Sequence, residues 1–136
     1  MSTHCAIIEK IEGGQGHLYR GIYCHFDGYE KLGSGRWYLE GAGWVLKHYC
    51  NKEKDVSKLI NMGNTQCISA PTQEKNFFQL AEENAKAWHD ERGEPRPAPL
   101  YYGKTIKAVA NQIPHSGYVW VFLNGKWSNY ANRIKK

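Results

Sequence analysis

The side chains best suited to chemistry gather in one short run, Gly21-Ile22-Tyr23-Cys24-His25-Phe26-Asp27-Gly28-Tyr29. His25 and Asp27 stand two apart, so on an extended segment they project to the same side. With His48 they would form an acid–base group, or a two-histidine, one-carboxylate set that leaves a metal open positions. Tyr29 can join from the following turn. Cys24 and Cys50, taken with His25 and His48, offer a set suited to zinc. Cys24 and His25 are adjacent, however, and face opposite ways on a regular strand. The same residues also have a purely structural use: Cys24 in a core, His25 and Asp27 holding a turn, His48 packed. That use takes precedence, so no resident metal and no cofactor is expected. His25, Asp27 and His48 stand as the candidates for catalysis.

A second set suits binding. Gly33-Ser34-Gly35-Arg36 has the glycines for a small backbone nest around a phosphate, with Arg36 adding charge. No Gly-Lys-Ser/Thr follows at the spacing of a phosphate-binding loop, and a plain flexible loop has the same composition. From Pro95 onward there is no Asp or Glu, against Arg96, Lys104, Lys107, Lys126, Arg133, Lys135 and Lys136. The net charge of +5 therefore belongs to the last third of the chain. Tyr101, Tyr102, Trp120 and Trp127 are interleaved with these bases, and aromatics among cations can stack nucleobases while the cations neutralise phosphates. No recognised nucleic-acid-binding motif accompanies them, and a hairpin packed on a helix would need the same aromatics for its core. The candidate binding residues are Tyr29, Arg36, Lys104, Lys107, Trp120 and Lys126.

The elements that must position these residues follow from periodicity. Residues 4–11 and 17–26 read as two strands of a hairpin around Gly13-Gly14-Gln15-Gly16. Asp27 to Arg36 reads as loop, and Trp37 to Tyr49 has helical spacing weakened in its first half by Gly41 and Gly43, so a helix is expected from about Gly43. Asn51 is a candidate cap for a second helix with Glu53 and Asp55 in its first turn and Gly63 at its end. A long helix is expected from Thr72, as its cap, to Arg92, with Phe77, Ala81, Ala85 and Trp88 on one face and Gly93 and Pro95 stopping it. Arg96-Pro97-Ala98-Pro99 reads as an extended connector. Residues 104–113 fit a short helix or a strand. Tyr118 to Leu123, the turn Asn124-Gly125 and Lys126 to Tyr130 form a second hairpin, whose first strand is apolar on both sides and needs cover on both. Two terminal hairpins with helices between them predict an α+β domain over residues 1–136: one antiparallel sheet with helices packed on one face.

A chain of 136 residues with five Trp, nine Tyr and four Phe has enough apolar surface for a core of its own. No apolar run reaches membrane-spanning length, and Met1-Ser2-Thr3-His4-Cys5 lacks the basic start and apolar stretch of a signal peptide. The four cysteines form no CxxC and are expected to be free thiols in a cytoplasmic protein.

The run Gly21–Tyr29, together with Gly43-Trp44-Val45-Leu46-Lys47-His48-Tyr49 and Lys54 to Gly63, resembles a family of small uncharacterised proteins of bacteriophages and prophages. Its members show "IYCHWDGY", "GxxLxxHY" and "VxxLIxxGD". Trp88 to Glu94 is similar to that family's "YHRDRGE", and Phe122 to Trp127 to its "FKDGxW". The chain departs from the pattern by an insertion around Lys31 to Glu40, and by Asn64 where the family has Asp. The resemblance implies a phage origin and carries over no catalytic residue. It leads to the expectation of a binding protein in the host cytoplasm that acts on a host protein, as an inhibitor of a host defence system, with no membrane involved. The alternatives are a nucleic-acid or nucleotide binder using the basic last third, and a small metal- or histidine-dependent hydrolase.

Overall fold

The computed structural model describes residues 3–12, 16–34, 37–95 and 100–134. Strands β1 (Cys5–Lys10) and β2 (Tyr19–Cys24) form the expected hairpin, with Cys5 opposite Cys24 and Lys10 opposite Tyr19. The residues Gly13 to Gln15 of its turn lie outside the described residues. Two further strands, β3 (Lys31–Ser34) and β4 (Trp37–Glu40), make a small separate hairpin where the sequence reads as loop and then as weakened helical spacing ahead of the helix expected from about Gly43. Helix α1 spans Ala42–Tyr49, α2 Glu53–Ile60 and α3 Phe77–Arg92. Strand β5 (Tyr101–Gly103) and helix α4 (Ile106–Ala110) follow, and β6 (Val119–Leu123) and β7 (Lys126–Asn129) close the fold. Asn124 and Gly125 between them both have positive φ, 52° and 81°, as the tightest two-residue hairpin turn demands.

The main sheet has the order β5-β2-β1-β6-β7. This is the expected α+β fold with a mostly antiparallel sheet, in which one central pair departs from the pattern: β1 and β6 run parallel, Ala6 beside Val119. Both strands are apolar on both sides, so they take the middle of the sheet, where neither side is wet. Odd-numbered β1 residues Cys5 and Ile7, with Ile22, Trp120 and Phe122, pack under α1 and α2. Even-numbered Ala6 and Ile8, with Tyr23, Val119 and Val121, pack under α4 and Trp88. Helices therefore cover both faces rather than one, because a single helical layer would leave the second apolar face in water.

Two glycines admit these layers. A Cβ on Gly43 would come within 2.2 Å of the Trp120 ring, and one on Gly21 within 3.3 Å of Val109 of α4. Trp120 Nε1 donates to the Gly28 carbonyl at 2.7 Å, so its burial leaves no donor unpaired. Helix α3 spans the two faces, with Phe77 and Ala81 in the first cluster and Trp88 in the second. It starts five residues later than Thr72, because Asn76 and Gln79 cap each other's backbone N–H groups there. Thr72 Oγ1 instead accepts from Glu74 and Lys75 in the preceding turn. Asn51 does not cap α2; its Nδ2 donates to the Lys47 carbonyl in the last turn of α1, and Lys52 holds the cap position of α2. The connector Arg96 to Pro99 lies outside the described residues, among which no helix is long and apolar enough to cross a membrane.

Candidate functional site

His25, Asp27 and His48 do not come together. Asp27 takes a left-handed conformation, φ 56°, and its carbonyl accepts the Ala42 N–H at 2.8 Å. The Tyr29 carbonyl accepts the Gly43 N–H at 3.1 Å, and the Tyr29 hydroxyl donates to Asp27 Oδ1 at 3.3 Å. This turn caps the N-terminus of α1, and Tyr29 is buried in it. His48 lies on the exposed side of α1, stacked on Trp44 at 3.9 Å with Nδ1 donating to the Trp44 carbonyl. Because α1 covers one face of the sheet and His25 lies with Tyr23 towards the other, His25 and His48 stand on opposite sides and the three residues make no single site. Cys24 and Cys50 are buried free thiols, and among the described residues no three His, Cys, Asp or Glu side chains gather as a metal set.

What His25 does join is His4, through Tyr23. The β1–β2 register that sets Cys5 opposite Cys24 puts His4 opposite His25, one step beyond the paired strands. The Tyr23 hydroxyl lies 2.9 Å from Nδ1 of His4 and 2.7 Å from Nδ1 of His25, and the two imidazoles stack 5.0 Å apart. Nδ1 of His4 also sits 2.8 Å from the His25 carbonyl. A carbonyl only accepts, so His4 carries its proton on Nδ1. That N–H also serves the Tyr23 oxygen, so the tyrosine's own proton goes to Nδ1 of His25. The neutral tautomers follow: a bare Nε2 on His4 and an N–H at Nε2 of His25. Both rings are partly exposed, and all the hydrogen bonds given above use their Nδ1 edges.

The surroundings add an aromatic wall and a cation. Trp88 lies edge-on to Tyr23 at 5.2 Å and 5.4 Å from the His25 ring. The Arg92 guanidinium, one helical turn on, covers the Trp88 face at 3.3 Å. Phe26, 40% exposed, meets the His25 ring at 4.4 Å. Burial, then the neighbouring His4 and Arg92, holds the His25 pKa below its usual 6.5. Burial raises that of Tyr23 above 10.0, with Arg92 opposing. Beneath, Asn64 Oδ1 accepts the Tyr23 N–H at 2.9 Å, and Thr65 exchanges backbone bonds with Tyr23 and His25. Asn64 thus supplies the acceptor oxygen an aspartate would supply.

The basic last third is divided by the fold. Lys104 and Lys107, at the start of α4, and Arg133 share a shallow depression of about 410 Å³ with Tyr19, Tyr130 and Ile106, and none of its lining residues is acidic. Lys126 stands apart, beside Lys47 and Asn51 near the opposite edge strand. Trp120, taken as a binding residue from its place among bases, is 2% exposed and belongs to the core. Tyr29 is likewise enclosed; Arg36, with Gly35 of the proposed nest, and the tail residues Lys135 and Lys136 lie outside the described residues.

No family model, curated protein or solved structure matches the chain.

Proposed function

We propose that the protein binds a single nucleic-acid strand along the cationic depression of its last third. The observation that carries this is the meeting of Lys104 and Arg133 with the rings of Tyr19 and Tyr130 in a hollow whose described lining residues include no Asp or Glu. Cations spaced around tyrosine rings suit a backbone of phosphates whose bases need only a flat partner. The test is fluorescence anisotropy of the purified protein with a labelled single-stranded 20-mer over a range of salt. Two phosphate contacts give a log–log slope of about −1.4, from roughly −0.7 per contact on single strands. Reversing Lys104 and Arg133 to Glu abolishes binding without lowering the melting temperature. Binding that ignores salt, or survives the reversal, sinks this reading.

One observation favours a protein partner instead. Leu32 and Leu39 pair across β3 and β4 while 48% and 64% exposed. Together with the resemblance to phage proteins, that pair supports the reading of a phage-encoded inhibitor that docks on a host protein. Leu32→Asp with Leu39→Asp then removes the interaction and leaves strand binding intact.

A further inference from the structure

We propose that His4 and His25, coupled through Tyr23, form an acid–base pair that cleaves RNA by transesterification to the neighbouring 2′ oxygen. The proposal rests on the nucleic-acid reading only for the polymer concerned. The chemistry comes from the tautomers: Nε2 of His4 is a free base and Nε2 of His25 a free acid, on rings 5.0 Å apart. A reaction that removes one proton and delivers another at the same centre needs that complement. RNA supplies such a reaction without any further reactant, since its nucleophile is already attached beside the phosphate.

In the step, Nε2 of His4 takes the proton of the 2′ hydroxyl as its oxygen bonds to phosphorus. The bond from phosphorus to the 5′ oxygen breaks with its electron pair on that oxygen, which receives the proton from Nε2 of His25. Within the protein, the Nδ1 proton of His4 moves to the Tyr23 oxygen, and the tyrosine's proton moves to Nδ1 of His25. Both imidazoles end neutral in the opposite tautomer, and exchange with water resets them. The products are a 2′,3′-cyclic phosphate and a 5′ hydroxyl. Arg92, within electrostatic reach of His25 and held over Trp88, offers its charge to the phosphate, and exposed Phe26 offers a face to a base. His4 and His25 are the catalytic residues proposed, and Tyr23 is a positioning and relay residue.

The relay predicts an unusual pH profile. The charged and titratable groups facing His25 are His4, Tyr23, Arg92 and Glu91. With His25 held below 6.5 and Tyr23 above 10.0, these two groups stay neutral over the interval between them. The rate climbs as His25 loses its proton and then stays level. A pair that works as imidazole and imidazolium gives a bell instead.

The experiment incubates the purified full chain, in chelator, with a labelled single-stranded RNA 20-mer, its DNA and 2′-O-methyl counterparts, and the dinucleotide UpA. RNA and UpA are cut to cyclic-phosphate ends, and the other two are not. His4→Asn and His25→Asn keep an amide where Nδ1 stood, so they fold, and each lowers the rate by roughly 100- to 10,000-fold, the usual contribution of a positioned acid or base. Tyr23→Phe loses roughly 100-fold and turns the plateau into a bell. His48→Ala keeps the full rate. Failure to cut either RNA or UpA overturns the proposal, as does an unchanged rate in both asparagine variants. RNA bound but uncut sinks the cleavage and spares the binding reading; UpA cut without salt-dependent strand binding does the reverse.

Discussion

At the scale of single residues, burial decides which reactive groups are usable. Cys50 is enclosed beneath α1 and α2, and burial, followed by the charges of Asp55 and Glu9, pushes its thiol up to about 12. Cys24 is raised well above 9.0 by its bond to the Cys5 thiol and by burial, while Cys67 is only partly buried. At pH 8 a thiol of pKa near 12 is ionised in roughly one molecule in ten thousand, and the thiolate is the form that alkylates. Iodoacetamide at that pH should therefore label Cys67 alone in the folded protein and all four cysteines after denaturation. Peptide mass spectrometry reads this directly, and rapid native labelling of Cys50 would contradict the packing described. His25 was legible as a candidate from its neighbours in sequence, whereas His4 was not. Only the register of the β1–β2 hairpin sets it opposite His25, and that register depends on how many residues the intervening turn consumes. Trp120 was misjudged for the converse reason: a chain position among lysines says nothing of which way a ring turns.

At the scale of elements, local signals located the helices better than they located their ends. The apolar spacing of Phe77, Ala81, Ala85 and Trp88 identified α3, and Gly93 ends it in the left-handed conformation expected of a terminal glycine. Its beginning was misplaced because Thr72 and Asn76 are both acceptable caps, and only the reciprocal bond with Gln79 separates them. Asn76→Ala should accordingly cost about 1 kcal/mol in urea denaturation, the usual loss for a removed cap. Thr72→Ala should cost less, since it serves a turn outside the helix; equal losses would mean that the two sites share the capping. The β3–β4 hairpin escaped detection because glycines interrupt it and its exposed leucines give no alternation of buried and wet positions. Trp37 to Glu40 shows only weakened helical spacing in the sequence, and the start of α1 is set from outside, by carbonyls of Asp27 and Tyr29 that no local pattern reveals.

At the scale of the molecule, a polar group is enclosed in the sheet as firmly as the aliphatic ones. Glu9, 5% exposed, accepts from Arg20 at 2.6 Å across the hairpin and from Ser57 of α2 at 2.8 Å. The pair ties the first hairpin to α2, and removing one partner from such a buried pair strands the other charge. It also fixes the hairpin's register, since slipping one strand by one residue would turn its charge to the opposite face and part the pair. None of this follows from the balance of charges along the chain, where Glu9 and Arg20 look like ordinary surface residues.

The parallel contact of β1 with β6 has a consequence for how the protein is made. Ala6 leaves the ribosome on the order of 10 s before Val119, at ordinary rates of synthesis. During that wait β1 and β2 form at most a lone hairpin, which has little stability of its own. Ile7 and Ile8 lack their β6 neighbours Trp120 and Val121 until the last segment arrives. The same dependence makes the protein divisible. Residues 1–115 alone should be cut rapidly by protease, and adding a synthetic peptide of residues 116–136 should restore resistance by inserting β6 and β7 beside β1. If the shorter piece resists protease unaided, the central pair is not what completes the fold.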